Sequence, residues 1–206
     1  GSLLLVDAIS SLGCINVPVD SWRCDVVVTG SQKGWMVPPG LAMVSVSEDA
    51  WKAHARAKMP RCYWDFSLIR DALQKGQTPW TPAISVCYAL DTALDLMLSE
   101  GLEGIFLRHA RLGRKTRDGI KALGLSVFPD EHCASDTVTA ASGSAGVDVT
   151  KLIRVLREQH QVIVAGGMGG LSGKIFRIGH LGYVDDDDIE SFLQALDRAI
   201  PQAKKA

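Results

Sequence analysis

Two short apolar runs constrain this chain most, because each stops at a charged residue. Leu3–Val6 is uninterrupted and ends in Asp7. Val26–Val28 passes through Thr29 into Gly30-Ser31-Gln32-Lys33-Gly34, and after Pro38-Pro39-Gly40 the apolar pattern resumes from Leu41 to Val46. Such runs, without alternation, fit strands buried on both faces, as in α/β sheets with helices on either side. A carboxylate and an amine at the ends of such strands are costly unless they are paired or used. Used together, they fit a site where the amine holds an aldehyde cofactor and the carboxylate faces a protonated ring nitrogen.

The composition narrows the partners. With 206 residues, 47% of them hydrophobic, the chain can build one domain or two small ones. Net charge is −1 and the signs are interspersed, so no basic stripe recommends nucleic acid or an anionic membrane surface. The apolar runs are strand-length, so no membrane span is expected. The opening Gly1-Ser2-Leu3-Leu4-Leu5 lacks the basic segment of a signal peptide. Cysteines at 14, 24, 62, 87 and 133 include no CxxC pair, which argues against a disulfide framework or zinc site and for a reducing cytoplasm. The histidines are scattered without HExxH, and no metal is expected.

Periodicity divides the chain. Strands are expected at Leu3–Val6, Asp25–Thr29 and Leu41–Val46, all of the parallel type. Ser47 before Glu48-Asp49 is a helix N-cap. Residues 56–81 read as largely irregular, with a short helix near Leu68–Leu73. Helical spacing returns at 82–100 and again at 102–123, each stopped by glycine. Beyond it, strands are expected at Ser126–Phe128, Thr137–Ala140, Val162–Ala165 and Ile175–Ile178, and helices at Val149–Gln159 and Asp186–Ala199. The organisation is thus the end of an α/β domain (1–101), a connecting helix (102–123) and a small α+β domain (124–206).

An ordered set of motifs carries a resemblance: Val6-Asp7-Ala8-Ile9-Ser10-Ser11-Leu12-Gly13, Ser31-Gln32-Lys33-Gly34, Val37-Pro38-Pro39-Gly40, Thr78-Pro79-Trp80-Thr81-Pro82 and Lys174-Ile175-Phe176-Arg177-Ile178-Gly179. In order and spacing the chain resembles the class V branch of fold-type-I pyridoxal-phosphate aminotransferases, in the alanine–glyoxylate, serine–glyoxylate and serine–pyruvate group. The resemblance implies the C-terminal part of a mostly parallel large domain followed by a small α+β domain. It also implies an N-terminal region of comparable length, bearing a Ser/Gly-rich phosphate loop and a ring-stacking aromatic. Neither is visible here, so the chain resembles the C-terminal half of such an enzyme. A catalytically inert fragment or assembly module is the alternative reading.

By resemblance, Lys33 is the Schiff-base lysine and proton shuttle, and Asp7 keeps the pyridine nitrogen protonated. Ile9 lies against the ring, Gln32 and Ser31 sit beside the cofactor, and Thr78 and Thr81 reach the phosphate of a neighbouring subunit, which implies a homodimer. Arg177 holds the carboxylate of an amino-acid or 2-oxo-acid substrate, for which a guanidinium's two parallel bonds are suited. Each residue has an ordinary alternative: Lys33 as a solvated turn lysine, Asp7 as a turn cap through Ser10 or Ser11, Ile9 as core, Thr78 as a cap, Arg177 as a surface ion pair. Gln32, where related cysteine desulfurases usually carry histidine, disfavours desulfuration. The run Gly166–Lys174 fails as a phosphate loop, because five residues separate Gly167 from Gly173-Lys174 and Ile175 stands where Ser or Thr is needed. It reads as a flexible loop near Arg177. Asp185–Asp188 reads as a helix cap, and His180 as structural. Trp35, Trp64 and Trp80 have no assigned role.

Overall fold

The computed structural model describes residues 1–143 and 146–204. They form two compact units, Gly1–Ile9 with Val17–Leu96 and Ser10–Asn16 with Met97–Ala206. The 102–123 helix lies in the second.

The first unit is built on strands β1 (Leu5–Asp7), β2 (Val26–Gly30) and β3 (Ala42–Val46), in that spatial order. β1 and β2 are parallel, with Leu5 opposite Val26 and Asp7 opposite Val28. β3 corrects the expectation of three parallel strands. It runs antiparallel to β2, Gly30 facing Ala42 and Val26 facing Val46. The connection through residues 31–41 contains no helix, and a parallel return needs a crossover of about a dozen residues or more. Burial on both faces holds best at central β2. On the two outer strands Leu5 and Val44 are exposed, as are Leu3 and Leu4 just before β1. Asp25 ties the unit together, its carboxylate accepting the Leu4 N–H and the Ser47 hydroxyl at 2.9 and 2.8 Å. Ser47 in turn caps helix α1 (Glu48–Arg56) through the Ala50 N–H.

The 56–81 segment contains more helix than the apolar spacing shows. α2 spans Phe66–Leu73 because Asp65 caps it, accepting the Ser67 N–H at 2.9 Å. Trp51 of α1 packs edge-on to Phe66 and carries the Arg70 guanidinium 4.5 Å from its ring centroid. His54, Asp65 and Ser67 lie together, but Asp65 and Ser67 both face Nε2 of the ring, so no proton relay runs through the imidazole. Helix α3 (Ile84–Glu100) follows.

The second unit has helix α4 (Leu102–Ala122), then β4 (Ser126–Val127), β5 (Val138–Ser142), helix α5 (Val149–His160), β6 (Ala165–Gly166), β7 (Ile175–Gly179) and helix α6 (Asp186–Ala199). The sheet order is β4-β5-β7-β6, and every neighbouring pair is antiparallel. Ile120, Leu152, Leu156, Phe176 and Leu196 fill its core with no exposed surface. The expected strand at 162–165 is largely not one. The Val162 N–H donates to Leu156 O at the end of α5, and Val162 and Val164 pack on the core as coil. Asp185 caps α6, accepting the N–H groups of Asp187 and Asp188 while Asp188 accepts its own.

Two buried histidines brace the turn after β7. His180 Nδ1 faces the Asp136 carbonyl at 3.1 Å, so that nitrogen carries the proton and Nε2 accepts from the Thr139 hydroxyl at 2.9 Å. His109 likewise donates through Nδ1 to Ile105 O and accepts the Gly182 N–H at Nε2. Both arrangements require the neutral ring. Burial lowers the pKa of His109 and pushes that of His180 down to about 4. The unfolded chain therefore binds more protons as pH falls below about 6.5. The stability from His180 is complete above that pH, declines as pH drops toward about 4, and amounts to roughly 3 kcal/mol. Urea unfolding at pH 7 and pH 4.5 is expected to show this loss, and His180→Gln is expected to flatten it. An unchanged pH dependence in the variant would contradict the assignment.

Candidate active site

Parallel pairing brings the C-terminal ends of β1 and β2 to one side of the sheet, where ligands gather in α/β folds. Asp7 ends β1. Its Oδ1 accepts the Ile9 N–H at 3.0 Å, and the adjacent Ala8 N–H donates to Val28 O on β2. The capping role is thus real, but it passes through Ile9 rather than Ser10 or Ser11. It occupies one carboxylate oxygen and leaves Oδ2 without a partner among the described residues. Asp7 is exposed and Ile9 half-buried.

β2 leads into the Lys33 loop. Ser31 is fully buried and spent within that loop. Its N–H donates to Leu41 O, its carbonyl accepts the Val37 N–H, and its hydroxyl donates to Pro38 O at 2.7 Å while accepting the Leu41 N–H. Ser31 therefore shapes the loop, and its hydroxyl already has both a donor and an acceptor. The Gln32 side chain folds back over Gly30, its Oε1 2.9 Å from where a Cβ there would stand. Lys33 is half-buried, and its carbonyl accepts the Met36 N–H at 3.1 Å. The Trp35 indole N–H donates to the Thr29 hydroxyl at 3.0 Å. That tie was invisible in the sequence, since a contact between side chains six residues apart leaves no periodic mark.

Thr78 and Thr81 are exposed, in the segment between α2 and α3. The Thr78 hydroxyl donates to Trp80 O at 2.7 Å, so the ordinary turn role is present, and no hydrogen bond among the described residues joins either threonine to Lys33 or Asp7. Trp80 stacks on Tyr63, which meets Trp64 edge-on, and all three rings are exposed.

Arg177 belongs to the second unit. Phe176 and Ile178 on either side of it are buried, so its side chain leaves from the other face of β7. Its Nε donates to Gly166 O at 3.0 Å, and it is in no ion pair among the described residues, nor are Lys33 and Asp7. The glycine-rich run beside it is a hydrogen-bonded connection between β6 and β7. The Gly167 N–H donates to Ile175 O, and a Cβ at Gly167 would stand 2.2 Å from Leu171 O.

The class V aminotransferase pattern matches residues 1–192. The chain belongs to the class V aminotransferase family. It is 45% identical over 201 residues to a soluble hydrogenase small subunit of Synechococcus sp. (strain PCC 6716), covering 98% of this chain and 52% of that protein. It is 38% identical over 187 residues to the serine–glyoxylate aminotransferase of Arabidopsis thaliana, covering 90% and 47%. The crystal structure of pyridoxamine–pyruvate aminotransferase from Mesorhizobium loti superposes with a TM-score of 0.92 at 36% identity, over 100% of this chain and 54% of that one. The chain thus spans about half the length of the curated relatives it matches.

Pyridoxal 5′-phosphate is the cofactor of this family. The residues present fit it. A half-buried lysine and an aspartate with one carboxylate oxygen unpartnered, neither in an ion pair among the described residues, stand at the same end of one sheet. Among the described residues no group of three or more His, Cys, Asp or Glu is arranged to hold a metal ion, and no helix is long and apolar enough to cross a membrane.

Proposed function

We propose that the chain carries the lysine-bearing part of an aminotransferase that moves an amino group from serine or alanine to glyoxylate or pyruvate. The observation that carries this reading is the placement of Asp7 at the C-terminal end of β1 and of Lys33 in the loop leaving the C-terminal end of the adjacent parallel β2, neither in an ion pair among the described residues. When bound, the cofactor supplies an electron sink for negative charge at the substrate Cα. Lys33 would hold it through Nζ, and the same amine would serve to move the proton at that carbon. Asp7, through Oδ2, would face the ring nitrogen and keep it protonated. Ile9 would pack on the ring, and Gln32 would lie beside the phenolic oxygen or phosphate. Ser31 acts through the loop it holds together. Arg177 takes the substrate carboxylate, for which it has donors to spare beyond the bond to Gly166.

Thr78 and Thr81 serve the phosphate of a second subunit in a homodimer, a reading their exposure supports. Five free cysteines favour a reducing compartment, the cytoplasm.

A second reading is favoured by the share of the relatives that the chain spans. The chain is then an assembly module, active only with a polypeptide supplying the other half. Oxo-acid formation from alanine or serine with glyoxylate or pyruvate, measured with the chain alone and after co-expression with the N-terminal half of a relative, separates the two. Turnover by the chain alone supports the first reading and turnover only on complementation the second. No turnover in either preparation contradicts transamination.

A further inference from the structure

The Trp35–Thr29 hydrogen bond brackets Lys33. It reaches back from the middle of the 31–41 loop to the penultimate residue of β2. Thr29 is 3% exposed, so its hydroxyl has few other partners to choose from. The turn that Lys33 opens is closed by the Met36 N–H on Lys33 O, with Met36 at φ +64°, in the left-handed region. A non-glycine residue stays there only where its surroundings over-determine it. Ser31 holds the base of the loop, but none of its bonds reaches residues 33–36. The indole is the side chain that fixes the far end.

We propose that Trp35 is a positioning residue for Lys33: through Thr29 it holds the Lys33–Met36 turn so that the lysine side chain leaves from a fixed backbone. The inference rests on the reading of Lys33 as the cofactor lysine. A lysine amine sits on a flexible four-carbon stem, so its aim depends on where its Cα is held. Displacements of about 1 Å at a reacting group can cost about a hundredfold in rate.

The test uses the 206-residue chain as wild type, Thr29→Val and Thr29→Ser. Each is incubated with pyridoxal phosphate, reduced with borohydride and mapped, with exposed Lys58 as internal standard, and the Met36 amide is followed by hydrogen exchange. Thr29→Val is expected to lower the Lys33-to-Lys58 labelling ratio on the order of tenfold and to speed Met36 exchange. Thr29→Ser is expected to restore both. Should Thr29→Val fail to fold, Trp35→Phe keeps the ring, removes the donor and decides by the same readouts. Undiminished Lys33 labelling in a folded variant overturns the positioning role while leaving that of Lys33 intact. Wild-type Lys33 labelled no better than Lys58, both in the chain alone and after co-expression with the N-terminal half of a relative, overturns both.

Discussion

Replacing Lys33 with alanine is expected to lower amino transfer by roughly 10²–10⁴-fold, the range set by loss of a positioned proton carrier alone. On the proposed role, covalent attachment of the cofactor is expected to be lost with it. Lys33→Arg is not expected to rescue, because a guanidinium stays protonated and cannot attack an aldehyde. The loss is expected without loss of fold. Lys33 is half-buried and in no ion pair among the described residues, and the loop around it is held by Ser31, Trp35 and Thr29. Steady-state oxo-acid formation, with circular dichroism on the same samples, checks both statements. Near-wild-type turnover in a folded Lys33→Ala protein would remove the lysine from the chemistry.

Phe176→Ala is expected to destabilise the second unit by about 3–5 kcal/mol. Phe176 is the largest fully buried side chain. It stands on β7 between β5 and β6, opposite Ala141 and Gly166. Strands on both sides prevent the backbone from collapsing into the space left by the ring, and the cavity term is largest where collapse is blocked. Against a typical domain stability of 5–15 kcal/mol the effect is severe. Phe128 is half exposed and makes the matched control, with a much smaller change expected in urea unfolding. Equal effects at the two positions would contradict the core described for this unit. Because Arg177 follows Phe176 directly, the variant is also expected to loosen the strand from which the arginine leaves.

The legible parts of this fold are those where several local signals agree. Helix Asp186–Ala199 has capping acids, apolar periodicity and a following Pro201, and its ends fall where the sequence puts them. The strand expected at 162–165 rested on apolar character alone, which does not separate a strand from coil packed on a core. The direction of β3 is not written in its residues, since an apolar run reads the same in either pairing, and only the short helix-free 31–41 connection decides it. Asp7 and Lys33 stood out because charges interrupted apolar runs, and Arg177 because it alternated with buried neighbours. The work done by Ser31 and Trp35 was hidden, because a buried hydroxyl bonded within its own loop and an indole bonded to a threonine leave no pattern along the chain.

On the proposed function, Asp7 and Lys33 serve one pyridoxal phosphate. The most direct measurement is to add the cofactor to the purified protein, trap any imine with borohydride and map the modified residue in wild type and Asp7→Ala. Selective modification at Lys33, lost or sharply reduced in Asp7→Ala, is the expected result. Modification scattered over the lysines, or a Lys33 label indifferent to Asp7, would contradict it.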